Sequence, residues 1–115
     1  MDELLGVLKA LSDETRLNMV TLLLKHDFCV GALAKNLSVS KAAVSQHLQV
    51  LRKVGVVKGE KRGYFTHYHV NRDLLKEAAE QLIELSSQEK QRIDNCTQNA
   101  EGKHICCRKE GDNNE

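Results

Sequence analysis

The chain has 115 residues and a net charge of +1, which is the size of one domain with one modest core. With two Tyr, two Phe and no Trp, the core must come from Leu, Val, Ala and Ile. No stretch approaches the roughly 18 apolar residues of a membrane span, and the N-terminus carries acids where a signal peptide carries bases. We therefore expect a cytoplasmic protein without membrane contact, whose four cysteines are thiols, metal ligands or redox sensors.

The charge is concentrated in the middle of the chain. Residues 35–72 hold eight basic residues and one acidic residue, a net charge of +7. The segments 1–34, 73–93 and 94–115 each hold three basic and five acidic residues. A basic middle between acidic ends is typical of a nucleic-acid-binding element. A solvated basic face without a partner would give the same distribution, so composition alone does not decide.

The first forty residues predict three short helices. Leucines at helical spacing predict the first over residues 3–11, and Ser12 or Asp13 can cap a second that runs to about Lys25. A third helix of about two turns follows Cys29. The apolar stripes predicted for the three helices are Leu4, Leu5, Leu8, Leu11; Leu17, Val20, Leu23, Leu24; and Val30, Leu33, Ala34, Leu37.

A fourth helix carries an apolar stripe on one side and polar or basic residues on the other. Residues 37–39 predict a tight turn, Ser40 is a good N-cap, and Gly55 stands where a glycine ends a helix. The core positions predicted from the i, i+4, i+7 spacing are Val44, Leu48 and Leu51.

After Gly55 the hydrophobic period changes from helical to alternating. Residues 56–60 predict a strand, Lys61-Arg62-Gly63 a turn, and residues 64–70 the returning strand. Asn71 can then cap a last helix.

The helical pattern fades after Ile93. We therefore predict one folded domain over residues 1–93 and a flexible, cysteine-containing tail over residues 94–115. The predicted fold class is mainly α with a small two-stranded β wing, a winged helix-turn-helix.

This order of elements predicts a DNA-binding surface. The second helix of a helix-turn-helix enters the major groove, where its early residues reach base edges and phosphates. The tip of a basic ribbon meets the DNA backbone or a minor groove. The candidate DNA-binding residues are Ser40, Lys41, Ser45, Gln46 and His47 on the helix, and Lys61 and Arg62 on the ribbon. The expected partner is double-stranded DNA, and DNA binding is expected to require no cofactor.

Other interpretations of these residues stay open. Ser40 can serve only as a cap, His47 can fill a structural role under the ribbon, and Gln49 and Arg52 can be merely solvated. A winged helix that binds a protein would present a more apolar face. An enzyme is disfavoured, because the sequence has no phosphate loop, nucleophile–base pair or clustered carboxylates.

Three segments, in this order, resemble the ArsR/SmtB family of metal-responsive repressors. They are LKALSDETRL at residues 8–17, VSKAAVSQHLQVLR at residues 39–52, and the ribbon segments GVV at 55–57 and KRGYF at 61–65. The resemblance spans roughly residues 4–85. It implies a homodimer that binds an inverted-repeat operator and is released by an inducer.

The resemblance also implies that the dimer pairs through the first and last helices. The stripes that such an interface would bury are Leu4, Leu8 and Leu11 in the first helix, and Leu75 and Ala78 in the last.

Thiolates suit soft inducers such as As(III), Cd or Cu(I). Many members of this family place several cysteines at the start of the third helix, but here only Cys29 stands in that pattern. The family's other common site, a His and carboxylate set on the last helix, is poorly matched because that helix holds no His. The candidate metal ligands are Cys96, Cys106 and Cys107 in the tail, near His104, with Cys29 as an optional fourth.

Alternatives also remain for the sensing residues. Cys29 can be a small buried hydrophobic residue. The tail cysteines can be redox-sensing thiols or have no sensing role, which would leave a regulator that does not sense metal. His67 and His69 share a strand face and could bind metal, although packing and wing roles are favoured.

Overall fold

The computed structural model describes residues 2–90, which form five helices and one antiparallel two-stranded sheet. The elements are α1 (Asp2–Leu11), α2 (Glu14–Lys25), α3 (Val30–Leu37), α4 (Lys41–Lys53), β1 (Val57–Arg62), β2 (Phe65–Val70) and α5 (Arg72–Ser86). Their order confirms the predicted class, mainly α with a two-stranded wing. Over residues 2–90, no helix is both long and apolar enough to cross a membrane.

Three helices begin at side-chain caps that the sequence predicts. The side-chain oxygens accept backbone N–H bonds of 3.0 to 3.3 Å: Asp13 from Arg16, Ser40 from Ala43, and Asn71 from Leu74. Each bond satisfies one of the N–H groups that a helix start leaves without an intrahelical partner. Of the two candidates for α2, Asp13 is therefore the cap.

The core is assembled around the inner face of α4. Val44, Leu48 and Leu51 are only 0 to 2 % exposed, as predicted. Leu33 of α3 and Met19 of α2 are fully buried in the same cluster. Because one face of α4 is completely covered, the opposite face is fixed in orientation and turned to solvent.

Two of the predicted apolar stripes are partly wrong. Leu17 is 50 % exposed, and Met19 takes its place in the core of α2. In α1, Leu4 is buried within the chain, whereas Leu5 and Leu8 are exposed. The packing of α1 against α2, α4 and α5 decides which leucines of α1 turn inward, and the packing of α2 against α3 and α4 buries Met19 in place of Leu17.

The predicted dimer stripes need the same correction. Leu4 and Ala78 are almost fully covered within the chain, so they have little surface left for a second subunit to bury. The apolar surface that remains exposed on these two helices consists of Leu5 and Leu8 on α1, and Leu82, Ile83 and Leu85 on α5.

The wing is a hairpin with a two-residue turn. The strands pair from Val57 opposite Val70 to Arg62 opposite Phe65. The prediction of a turn at residues 61–63 is wrong, since Lys61 and Arg62 belong to β1. The turn is Gly63-Tyr64. Gly63 has a φ of +67°, which suits the first position of the type II′ turns that match the twist of paired strands.

Candidate nucleic-acid interface

A sharp turn joins α3 to α4. Ser38 adopts a left-handed conformation with φ 57° and ψ 43°, and its N–H donates to the carbonyl of Ala34. Val39 N–H donates to the same carbonyl at 3.2 Å. The bend sends the chain into the extended Ser40, where α4 is capped. The two helices of the motif pack against each other, and the start of α4 is exposed to solvent.

The outer face of α4 is polar and accessible. Ser40, Lys41, Ser45 and Gln46 are all exposed. The Ser40 hydroxyl already accepts the capping bond. Within the described chain, Lys41 forms no ion pair and the Gln46 amide forms no hydrogen bond to protein. Both side chains are thus available for an external partner.

Ala42 is exposed on the same face and was missed by the sequence prediction. The helical spacing of residues 42, 45, 46 and 49 could have identified it. A small methyl side chain at such a position can contact the methyl group of thymine.

His47 is separated from the other four helix candidates. Its Nδ1 lies 3.3 Å from Nη1 of Arg16 and 4.0 Å from Oδ2 of Asp13, and the ring is half-buried. Arg16 also donates from Nε to the carbonyl of Ala10 at 2.6 Å. His47 therefore contacts the corner between α1 and α2. This is a structural role, but it lies at a different place from the one under the ribbon that the sequence suggested.

The Asp13 carboxylate is held ionised at this corner. The backbone N–H of Arg16 donates to it and lowers its pKa below the ordinary value of 3.8. Desolvation of the carboxylate raises the pKa, but by less than the hydrogen bond lowers it. The charge of the Arg16 guanidinium lowers the pKa further.

The two basic candidates of the wing face different surroundings. Lys61 and Arg62 are adjacent in β1, so their side chains lie on opposite faces of the sheet. Lys61 is exposed and forms no ion pair among residues 2–90. Arg62 Nη2 lies 2.5 Å from Oδ2 of Asp27 and 3.2 Å from Oε1 of Glu60. The hydrogen bond to Asp27, with that to Glu60, raises the pKa of Arg62.

A shallow groove runs between α4 and the wing. The Arg52 guanidinium lies 5.9 Å from the centre of the Tyr68 ring, a cation–π distance. A Cβ on Gly59 would come within 2.9 Å of that ring, so only glycine lets Tyr68 lie across β1. The residues that line the groove are Ser45, Gln46, Leu48, Gln49, Arg52 and Tyr68.

The wing tip adds exposed aromatic surface. Tyr64 is 97 % exposed and the neighbouring Phe65 is also exposed. With the exposed Lys61 they form the turn end of the hairpin.

The structure describes only one of the candidate metal ligands. Cys29 precedes α3 as its N-cap residue, is half-buried and forms no disulfide within residues 2–90. Cys96, Cys106, Cys107 and His104 lie outside the described residues. No group of three or more His, Cys, Asp or Glu side chains within residues 2–90 is arranged to hold a metal ion.

His67 and His69 do share one face of the sheet, opposite Glu60 and Lys58. Both rings are half-buried, and Nδ1 of His67 is buried without a hydrogen-bond partner among the described residues. Burial of this kind is consistent with the packing role that the sequence favoured.

The chain is similar to known bacterial transcriptional regulators. Residues 13–58 match the model of the family described as "Bacterial regulatory protein, arsR family". The chain is 31 % identical over 78 residues to the transcriptional repressor SdpR of Bacillus subtilis (strain 168). The aligned residues cover 68 % of this chain and 87 % of SdpR. The chain belongs to the arsR family. This regulator binds DNA to control transcription and is not an enzyme.

Further relatives extend the comparison over most of this arsR-family chain. It is 31 % identical over 106 residues to the arsenical resistance operon repressor of Escherichia coli (strain K12), covering 85 % of this chain and 91 % of that protein. An ArsR-like transcriptional regulator from Rhodococcus sp. RHA1 has a solved structure that matches with a TM-score of 0.71 and 35 % identity, over 75 % of this chain and 81 % of that one.

A second solved structure is described as a homodimeric winged helix-turn-helix DNA-binding domain. It is the 1–100 fragment of Mb0332 from Mycobacterium bovis, a possible ArsR-family regulator. The TM-score is 0.63 and the identity 26 %, over 80 % of this chain and 87 % of that one. The arsR-family chain thus has the winged helix-turn-helix fold that its sequence predicts.

Proposed function

We propose that this arsR-family regulator is a homodimeric repressor, which binds an operator through α4 and the wing and is released when cysteine thiolates bind a soft metal or metalloid. The observation that carries the proposal is the exposed face of α4, where Lys41 and Gln46 have no partner within the described chain. The fully buried opposite face holds that surface rigidly.

Each side chain of this face has a matching group on DNA. An α-helix fits the major groove, and there the Gln46 amide can form two hydrogen bonds with adenine. Lys41, at the start of the helix, can reach a phosphate or a guanine. Lys61 at the wing would neutralise a backbone phosphate. Together the three contacts would hold α4 in a groove with the wing beside it.

The dimer is proposed from the apolar surface that α1 and α5 leave exposed. Leu5 and Leu8 lie on α1, Leu82 and Ile83 lie on α5, and the two helices touch. The exposed side chains on α5 are at least 43 % accessible, an exposed apolar patch of the kind that marks an interface. The relative Mb0332, described as homodimeric, supports this arrangement. A dimer would present its two α4 helices to successive major grooves, about 34 Å apart.

Soft-metal release is proposed from the thiols and from the relatives. The arsenical resistance operon repressor is similar to this chain over 85 % of the length of this chain. Cys29 stands at the start of α3, directly before the two helices of the DNA-binding motif. Thiolates of Cys96, Cys106 and Cys107, with or without Cys29, would bind As(III), Cd or Cu(I). Release follows if the metal-bound dimer spaces its α4 helices differently, because the two binding events are then coupled.

The DNA-binding proposal is tested by fluorescence anisotropy on a duplex from upstream of the protein's own coding sequence, with a scrambled duplex beside it. Lys41→Ala with Gln46→Ala should lower affinity for the upstream duplex at least tenfold. The matched control, Asn18→Ala with Lys25→Ala on α2, removes a side-chain amide and a lysine from exposed positions away from α4, the wing and the proposed dimer helices, and should bind as wild type. Equal binding by both double variants would contradict the proposal.

The sensing proposal uses the same duplex with arsenite, cadmium, copper(I), zinc and peroxide added in turn. Release of wild type by a soft metal, but not of Cys96→Ser/Cys106→Ser/Cys107→Ser, would support the tail thiols as the sensor. Release of both proteins would move the site to Cys29 or elsewhere. Release by peroxide alone would favour redox sensing, and no release would contradict sensing by these thiols.

A further inference from the structure

Arg62 is paired with two acidic side chains at the wing, and its own side chain stays 46 % exposed. Its Nη2 donates to Oδ2 of Asp27 at 2.5 Å and to Oε1 of Glu60 at 3.2 Å. Glu60 belongs to the same strand, but Asp27 is 35 residues away in the connection between α2 and α3. The ion pair therefore joins two separate parts of the fold.

The connection that carries Asp27 is bound to the wing a second time. The N–H of Tyr68 in β2 donates to the carbonyl of Phe28 at 2.9 Å, and the two residues form an isolated antiparallel bridge. Nearby, Arg72 donates from Nη2 to the carbonyl of Leu24 at 2.7 Å. The connection after α2 is thus bound to β1 through Arg62 and to β2 through Tyr68, and the end of α2 itself is bound to Arg72 at the start of α5.

The charge around Arg62 disfavours its use as a phosphate contact. Two carboxylates face one guanidinium, so the cluster of Asp27, Glu60 and Arg62 carries a net charge of −1. Lys61, on the opposite face of β1, is exposed and unpaired among the described residues. A phosphate approaching the wing would therefore meet an available cation at Lys61 and an occupied one at Arg62.

We propose that Arg62 is a positioning residue for DNA binding, held by Asp27 so that the wing stands at the angle at which Lys61 reaches the DNA. The inference deepens the proposed DNA-binding function and rests on it. Removing the negative charge of Asp27 weakens DNA binding, although the lost charge would repel phosphates.

A phosphate contact by Arg62 would give the opposite results. Asp27 would then compete with DNA for the guanidinium, and Asp27→Asn would tighten binding. Arg62→Ala would also make binding less sensitive to salt, because each neutralised phosphate contributes about 0.9 to the slope of log K against log salt. Both the sign of the Asp27 effect and the salt slope therefore separate the two roles.

The experiment measures anisotropy on the upstream duplex over a salt series for Asp27→Asn, Arg62→Ala, the double variant and wild type. The two single variants should each lose about two- to fivefold in affinity, the range of an exposed ion pair. The double variant should lose no more than either single one, since both remove the same link. All three should keep the wild-type salt slope, while Lys61→Ala, the matched control, should lower it by about 1.8, because the proposed dimer loses one phosphate contact in each subunit.

The charge-swapped variant Asp27→Arg with Arg62→Asp keeps the proposal testable if single variants alter the fold. It should recover most of the lost affinity, because it restores the link with the charges exchanged. Tighter or unchanged binding by Asp27→Asn, or a reduced slope for Arg62→Ala, would overturn the inference while the DNA-binding function stands. Failure of wild type to prefer the upstream duplex over the scrambled one would overturn the proposed function, and this inference with it.

Discussion

The start of α4 and the wing are both basic in sequence, yet their charges have different surroundings. Lys41 extends from α4 with no ion pair within residues 2–90, whereas Arg62 in the wing is bound by Asp27 and Glu60. The carboxylate of Asp27 comes from a part of the chain 35 residues away. The number of basic residues in a segment therefore overstates the charge that it can offer to DNA.

The two regions also differ in what holds them in place. The inner face of α4 is covered completely, with Val44 and Leu51 fully buried. The base of the wing is anchored in the core by Val57 and Val70, but its outer part is held by exposed hydrogen bonds, the Arg62 ion pair and the stacking of Arg52 on Tyr68. Burial stabilises more than exposed ion pairs do. We infer that α4 sets how the protein meets DNA and that the wing adds a weaker, salt-sensitive contact.

The largest expected effect comes from the buried face of α4. Leu51→Ala should lower the free energy of unfolding by about 2–5 kcal/mol, because it leaves a cavity in a packed core. The neighbouring Val50→Ala, on the exposed side, should change it by less than about 0.5 kcal/mol. Urea unfolding measures both. Similar values for the two variants would contradict the assignment of the two faces.

The next effect concerns base recognition by the exposed face. Gln46→Ala should remove about 1–3 kcal/mol of discrimination at one base pair, because a bidentate contact to adenine is lost. Anisotropy on operator duplexes substituted at each position would locate that pair. A loss spread evenly over all sequences would instead indicate that Gln46 contacts the backbone.

The cap of α4 gives a smaller effect and a matched comparison between two serines. Ser40→Ala should reduce the free energy of unfolding by about 1 kcal/mol, because the N–H of Ala43 loses its acceptor. Ser45→Ala, at an exposed position inside the same helix, should be neutral or slightly stabilising, since alanine is the better helix former. A larger loss at Ser45 than at Ser40 would contradict the capping role.

The smallest effect is a dependence of stability on pH at the corner that His47 contacts. The pKa of Asp13 is lower in the folded protein than in the unfolded chain. Its ionised form therefore stabilises the fold at a pH above the unfolded-state pKa. That stabilisation is lost as the pH falls through the folded-state pKa. Asp13→Asn keeps an N-cap but removes the charge. The stability advantage of wild type should therefore shrink in acid, and an advantage that grows in acid would contradict the assignment.

The features that sequence patterns could predict are local ones. The caps Ser40 and Asn71 and the buried stripe of α4 follow from residues within one or two helical turns. What the patterns missed depends on distant segments. Asp13 and Arg16 meet His47 across 31 residues or more, and Asp27 meets Arg62 across 35. No local period encodes such contacts.

The same reasoning explains the errors at the helix stripes. Leu17 and Met19 are both apolar, and only the packing of α2 against α3 and α4 decides that Met19 is buried. At the wing, Lys61 and Arg62 precede a glycine and resemble a turn, but strand pairing continues through Arg62 opposite Phe65. Cys96, Cys106 and Cys107 lie beyond the described residues, so their proposed role rests on sequence.

The most direct test of the central claim is to titrate the ¹⁵N-labelled protein with the upstream duplex and follow its NMR spectrum. If the outer face of α4 binds DNA, the largest shifts will fall between Ser40 and Gln46, including the Gln46 side-chain amide, with smaller ones at residues 61–65. Shifts absent from the start of α4, or equally large with the scrambled duplex, would contradict sequence-specific binding by this helix.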